Sequence, residues 1–237
     1  INDTLAVQLG VAAGLGLPPD NCMGMVCGTG SNVCCAVPVK HITKLTVPDQ
    51  GAMLINTESG FFTGVRQGDF DRALDSSTAD PGHALSEKMV SGAYLGELCY
   101  LTLQGAAREG LFSKTGSKRI LAMDALTSHE ADTLSGPLET LSKTDLAIAD
   151  SIIETMFDRS AKTMCCTLSA VLRLTGKGQD APFHIGAEGS LFQKSVRFRP
   201  ALERHMDAYL RRCLVRSFDF VTCENTTLLG AACAVLM

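Results

Sequence analysis

Residues 22–37 read CMGMVCGTGSNVCCAV, and how this stretch is taken decides the fold. Apolar residues fill both flanks, while Gly28, Thr29, Gly30, Ser31 and Asn32 form a turn signal between them. The pattern predicts two short strands joined as a hairpin. Glycines in such a turn admit positive φ and let amide N–H groups approach an anion, and a Thr or Ser hydroxyl adds a donor. The turn is therefore either a plain tight hairpin or a cradle for phosphate. It lacks the Gly-Lys-Ser/Thr ending of a Walker loop and is not the GxGxxG of a dinucleotide fold.

Working outward, Thr4 to about Leu15 predicts a helix that ends in the Gly/Pro cluster of 14–19, with Asn2 or Asp3 at its N-terminus. AMLINTESGFF, residues 52–62, reads as a strand that runs into a polar loop. Residues 64–83 carry Asp, Gly and Pro with little periodicity and read as surface connections. Residues 84–112 read as one long helix, in which Gly92 and Gly96 lie four apart and admit a close backbone neighbour. TSHEAD (127–132) and LSKTDL (141–146) suggest short capped helices, and 145–174 is a second long helical pattern. APFHIGAEGSLFQ (181–193) reads as strand, glycine turn, then strand or helix; FDFVTCENTTLLGAACAVLM (218–237) reads as strand, polar turn and final helix. Strands and helices alternate, so the chain is expected to be one α/β domain over 1–237.

The chain has 237 residues and a net charge of −4 with no run of five like charges, so it carries no electrostatic footprint for nucleic acid or an anionic membrane. No apolar stretch reaches the roughly 18 residues of a membrane span, and the N-terminus lacks the order of a secretory signal. Ten cysteines occur, none in a CxxC or Cys/His zinc spacing. They are expected to be buried reduced thiols in a cytoplasmic protein, and no metal site is expected.

Several apolar strands end in short polar clusters: Asn2-Asp3, Gly28 to Asn32, Asn56 to Glu58, Gly186 to Ser190 and Glu224 to Thr227. In α/β sheets, ligands sit in the crevice beyond the strand ends, so such loops can converge on one site. Taken singly, each has a plain alternative. Asp3 is either a helix cap or a general base, Glu58 a solvated carboxylate or a ligand, and Glu97 a solvated or a partnered helix residue.

In order, INDT, GMVCGTGSNVCC, INTESGFF, EKMVSGAYLGEL, HIGAEGSLFQ and GAACAVL resemble the large lobe of the hexokinase and glucokinase family, most strongly over residues 1–112. The resemblance implies an actin-like, ribonuclease-H-like ATPase fold with a mixed sheet flanked by helices. It also implies an ATP- and Mg²⁺-dependent kinase that phosphorylates the 6-hydroxyl of a hexose such as glucose. By position in the motifs, Asp3 matches the catalytic base, and Asn2, Asn32, Glu58 and Glu97 match residues that hydrogen-bond the sugar. Gly28, Thr29 and Gly30 match a phosphate loop, and Gly189 with Ser190 an adenosine-side turn. These residue types suit the task. A polyol both donates and accepts, and phosphoryl transfer needs positioning more than covalent help.

The chain departs from the family pattern in places. A DxGGTN-like first phosphate loop and the small lobe's Thr-Lys pair are not found, so this chain reads as the large lobe alone, expected to bind hexose weakly. NTTLLGAA (225–232) keeps Gly230 but loses two glycine positions, Gln193 stands where Lys is common, and Asp158 stands where a small hydroxyl residue is expected on a nucleotide-facing helix. Ser59 follows Glu58 where an aromatic is frequent, and the chain has no Trp. The alternative these departures leave is a hexose-binding regulatory domain with a degraded ATP site.

Overall fold

The computed structural model describes residues 1–44, 50–223 and 225–236. It opens with helix α1, Asp3–Leu15, capped by Asn2, whose Oδ1 accepts from the Thr4 amide, and closed by Gly16 at φ 64. Strands β1 (Cys22–Cys27) and β2 (Ser31–Pro38) form the expected hairpin, with Val26 opposite Asn32 and Gly24 opposite Cys34. β3 (Ala52–Asn56) pairs antiparallel with β2 and sets Asn56 opposite Cys34.

Helices α2 (Asp69–Ser77), α3 (Leu85–Val90), α4 (Gly92–Arg108), α5 (Lys114–Leu121), α6 (Ser128–Thr133) and α7 (Lys143–Thr175) then cross over to β4 (Phe183–Glu188). β4 lies parallel to β1. α8 (Ser190–Lys194) and α9 (Phe198–Met206) lead to β5 (Phe218–Val221), parallel to β4, and α10 (Thr226–Leu236) closes the described chain. The sheet is mixed, in the order β3-β2-β1-β4-β5.

The two-residue period of the strands sorts the layers. Met23, Met25, Val33, Cys35 and Val37 face one core with Leu95, Leu98, Phe157 and Met164 of α4 and α7. Gly24 and Cys34 face α1 instead. Gly24 has no room for a Cβ against the Thr4 carbonyl, and Cys34 Sγ donates to that same carbonyl at 2.9 Å. Gly186 of β4 is likewise pressed by Val7 and Val11, while Gly10 and Gly230 bring α1 and α10 into backbone contact. Phe157 is fully buried in the larger core, and truncating a side chain so placed costs about 3–5 kcal/mol.

Two expectations are corrected. The surface connection expected over 64–83 contains α2, because Asp71 accepts the Gly68 amide at 2.7 Å and forms a bidentate pair with Arg159, both bonds at 2.8 Å. The single helix expected over 84–112 is two, broken at Ser91, whose ψ of 157° is extended. The Gly92 and Ala93 amides turn to Gly28 O (2.7 Å) and Thr29 O (3.3 Å) rather than to the preceding turn. The close approaches foreseen at Gly92 and Gly96 are present, to Gly28 and to residues 126–128. All ten cysteines are free, and six are buried. Burial pushes the Cys34 and Cys99 thiols up to about 12.

Candidate active site

Asn2 and Asp3 stand at the start of α1, over the face of β2 that carries Cys34. Thr4 ties them down: its amide donates to Asn2 Oδ1 at 2.9 Å and to Asp3 Oδ1 at 2.7 Å, and its carbonyl takes the Cys34 thiol. One carboxylate oxygen of Asp3 thus serves the helix start while the residue remains exposed. Its other carboxylate oxygen has no hydrogen-bond partner among the described residues.

Asn32 lies two residues from Cys34 on the same face, and Asn56 opposite Cys34 shares it. Asn32 Nδ2 donates to Asn56 Oδ1 at 2.5 Å, and Asn56 Nδ2 donates to Glu58 Oε1 at 2.6 Å. Asn32 Oδ1 accepts the Val33 and Ser59 amides at 2.8 and 3.2 Å, so its orientation is fixed from both sides. Glu58 holds φ 47°, ψ 44°, a left-handed conformation that costs a non-glycine residue of order 1 kcal/mol or more and is concentrated at functional sites. The loop continues into Phe61 and Phe62, 59% and 62% exposed.

Glu87 joins this cluster although it was not singled out in the sequence. Its Oε2 accepts the Ser31 amide at 2.9 Å, and its side chain lies where a Cβ on Gly30 or Gly60 would sit. Glu97 lies on α4 beyond the Ser91 break and shares no hydrogen bond with Asn32, Asn56, Glu58 or Glu87 among the described residues. Asn32, Asn56 and Glu58 are thus hydrogen-bonded in series beside the hairpin turn, Glu87 reaches the Ser31 amide of that turn, and Asn2 and Asp3 stand over the same face of β2; Glu97 shares none of these hydrogen bonds among the described residues.

On the other side of that turn, Gly28 meets Gly189. A Cβ on Gly28 would lie 3.2 Å from Gly189 Cα and Ser190 N, and Gly189 itself, at φ 105°, leaves no room for one against the Cys27 backbone. The two predicted phosphate and adenosine turns therefore touch. They line a cleft of about 450 Å³ with Gly92, Ser128 and Lys194. The Thr29 and Gly30 amides have no protein acceptor among the described residues, and Thr29 is exposed. Lys194 is exposed and in no ion pair among the described residues, whereas Asp132, also at the cleft, is consumed by Ser195 Oγ (2.8 Å) and the Val196 and Arg197 amides (3.1 and 3.2 Å).

Lys194 sits four residues after Ser190 on α8, hence on the same helix face, a spacing that makes it legible in retrospect. Asp158 pairs with Arg204 and His205 of α9, at 2.6 and 2.7 Å. Gly230 packs on Ala6 of α1. Of the polar cluster at 224–227, Glu224 lies outside the described residues.

Among the described residues no group of three or more His, Cys, Asp or Glu side chains is placed to hold a metal ion, and no helix is long and apolar enough to cross a membrane.

Comparison with known proteins agrees with this architecture. A family model described as Hexokinase matches residues 22–237. Hexokinase-1 of Rattus norvegicus is 31% identical and hexokinase-2 of Homo sapiens 30% identical, each over 98% of this chain. The chain spans only 27% of the length of these curated relatives. Among solved structures, a hexokinase from Schistosoma mansoni complexed with glucose superposes with a TM-score of 0.83 at 21% identity, over 100% of this chain and 57% of that one. A ROK family glucokinase from Streptomyces griseus in complex with glucose and AMPPNP gives 0.56 at 14% identity, over 98% and 66%. These structures place the chain in the actin-like ATPase fold.

Proposed function

The chain belongs to the hexokinase family, and on that premise we propose that the polypeptide carrying it transfers the γ-phosphoryl group of ATP to the 6-hydroxyl of a hexose such as glucose, with Asp3 as general base. The observation that carries the reading is the division of labour about one turn. Asn32, at the end of the turn, opens onto the carboxylate and amide cluster with Asn56, Glu58 and Glu87. Thr29, at its tip, opens onto the cleft formed with Gly189, Ser190 and Lys194. An acceptor alcohol on one side and a polyphosphate on the other meet within a few residues, which in-line transfer requires.

MgATP supplies the transferable phosphoryl group and the charge neutralisation that the metal brings. The cleft suits a polyphosphate: Gly189 has no room for a side chain and Gly28 lies tightly against it, the Thr29 and Gly30 amides are free to donate, and Lys194 adds a cation in no ion pair among the described residues. The free oxygen of Asp3 takes the proton of the sugar hydroxyl while its other oxygen stays on Thr4. Asn2, Asn32, Glu58 and Glu87 accept from and donate to the ring hydroxyls, and Asn56 holds Glu58 in place. Because these polar groups are preset, an analogue lacking a hydroxyl leaves one of them unpaired and is rejected. We further propose that the chain is the large lobe of a two-lobed kinase, so it binds hexose weakly and turns over slowly by itself.

Calorimetry on the full-length polypeptide that carries this chain, titrating glucose and then glucose in the presence of MgATP, tests the proposal. Saturable glucose binding that tightens with MgATP is expected. Glucose binding with no response to nucleotide would replace the kinase with a hexose-binding regulatory domain, and no glucose binding at all would remove both.

A further inference from the structure

We propose that Lys88 is a positioning residue for the sugar site: by fastening the segment after α2 to α3, it holds the Glu87 carboxylate on the Ser31 amide. The inference rests on the reading of Glu87 as a sugar-facing group.

Lys88 is among the largest fully buried side chains of the chain. Its Nζ reaches Asp75 Oδ1 at 2.7 Å, the Asp80 carbonyl at 2.8 Å and Asp80 Oδ1 at 3.0 Å. An ammonium has three N–H donors, and each has an acceptor. Asp75 also accepts the Gly82 amide, at 2.9 and 3.1 Å to its two oxygens, so residues 75–82 are gathered around one cation. Burying an ammonium costs several kcal/mol before its partners offset it, and an apolar side chain of similar size serves stability as well. What the charged pair adds is geometry.

That geometry matters because α3 does not hold its own orientation. It is six residues long, far below the roughly 12–15 that an isolated helix needs. It is entered through Ala84 at φ 48° and left through the extended Ser91, so neither neighbour continues its axis. The Ser86 amide on Phe62 O (3.2 Å) and Ser160 Oγ on Val90 O (2.8 Å) pin its two ends. Rotation about the axis is set by the side chains between them. Successive residues of a helix point about 100° apart. Glu87 is thereby directed at the Gly30–Ser31 turn and the Gly60 loop while Lys88 is anchored on Asp75 of α2 and Asp80 beyond it. If the Lys88 anchor is released, the helix can roll and the Glu87 carboxylate leaves Ser31.

Two variants separate positioning from plain stability. Lys88→Met removes the anchor but risks the fold; Asp80→Ala removes one half-exposed carboxylate and leaves the buried Asp75 pair in place. The first readout is hydrogen exchange at the Ser31 amide in the sugar-free chain. Both variants are expected to speed it at least tenfold while exchange in β4 stays unchanged. The second is glucose affinity in a cycle with Glu87→Gln. Asp80→Ala is expected to weaken glucose about threefold or more alone and to add nothing in the Glu87→Gln background, while its effect on Tm is equal in both. Unchanged Ser31 exchange in Asp80→Ala, or an equal loss of glucose affinity in both backgrounds, overturns the proposal. Should the unmodified chain bind no glucose, the functional reading fails, and Ser31 exchange still decides whether Lys88 positions Glu87.

Discussion

Asn32 donates its side-chain amide to Asn56 at 2.5 Å, and through Asn56 it reaches the Glu58 carboxylate, so one residue on each side of the β2–β3 ladder sets the direction of a strained loop carboxylate. Asn56→Ala removes the link while leaving Asn32 held by the Val33 and Ser59 amides. A hydrogen bond to a charged group contributes about 1.5–3 kcal/mol, so glucose affinity is expected to fall by roughly 10- to 150-fold. Calorimetry should show MgATP binding unaffected, since Asn56 lies on the sugar side of the turn.

The placement of the carboxylates gives a contrast between two glutamates. Glu87→Gln keeps the Ser31 hydrogen bond in outline but loses the charge, and glucose affinity is expected to drop about tenfold or more. Glu97→Gln is expected to change it less than about twofold. The reverse order in a titration would return Glu97 to the sugar and take Glu87 away from it.

Gly189→Ala is a test of the shared wall between the two turns. Its φ of 105° disfavours any side chain, and a Cβ there runs into the Cys27 and Gly28 backbone. The variant is expected to lose at least about 1–3 kcal/mol of stability, the cost of strain at such a position. It is also expected to lose nucleotide binding out of proportion to its loss of glucose binding. Chemical denaturation and a nucleotide titration on the same sample check both.

Stability should respond to pH through the carboxylates that anchor α3 and α7. The Ser113 amide and the Ser142 and Ser113 hydroxyls hold the Asp145 carboxyl below its ordinary 3.8, and the hydrogen bond from Lys88 does the same for Asp75 and Asp80. Groups depressed in the folded state stabilise it above their unfolded value and stop doing so as pH falls through the folded one. The chain is therefore expected to lose stability progressively below about pH 4. For Lys88, burial pulls down but Asp75 and Asp80 outweigh it and raise it above 10.5, so its contribution persists until pH rises past that value. Thermal melts of Asp145→Asn should show a shallower loss between pH 5 and 3 than the unmodified chain.

Much of this architecture was legible in the residues. The Gly28–Gly30 hairpin, the helix begun at Asn2-Asp3 and the strand ending at Asn56 follow from local pattern and turn chemistry, and each is where it was expected. The failures share a cause. α2 has a local cap, Asp71 on the Gly68 amide, but the Arg159 that fixes Asp71 stands 88 residues away and leaves no local signal. The break at Ser91 comes from carbonyls of the Gly28-Thr29 turn, again distant in sequence. Glu87 has the same history: only the folding of α3 against the turn separates it from Glu97, since both are single glutamates in one helical pattern.

The central claim is that Asp3 activates the sugar hydroxyl, and one comparison tests it. In the full-length polypeptide that carries this chain, glucose-dependent ADP production and glucose affinity are measured side by side for Asp3→Ala and the unmodified protein. General-base catalysis contributes about 10²- to 10⁴-fold, so turnover is predicted to fall by that factor while the glucose dissociation constant moves less than about fivefold. Near-normal turnover in Asp3→Ala would contradict the account and leave Asp3 with only its hydrogen bond to the Thr4 amide at the start of α1.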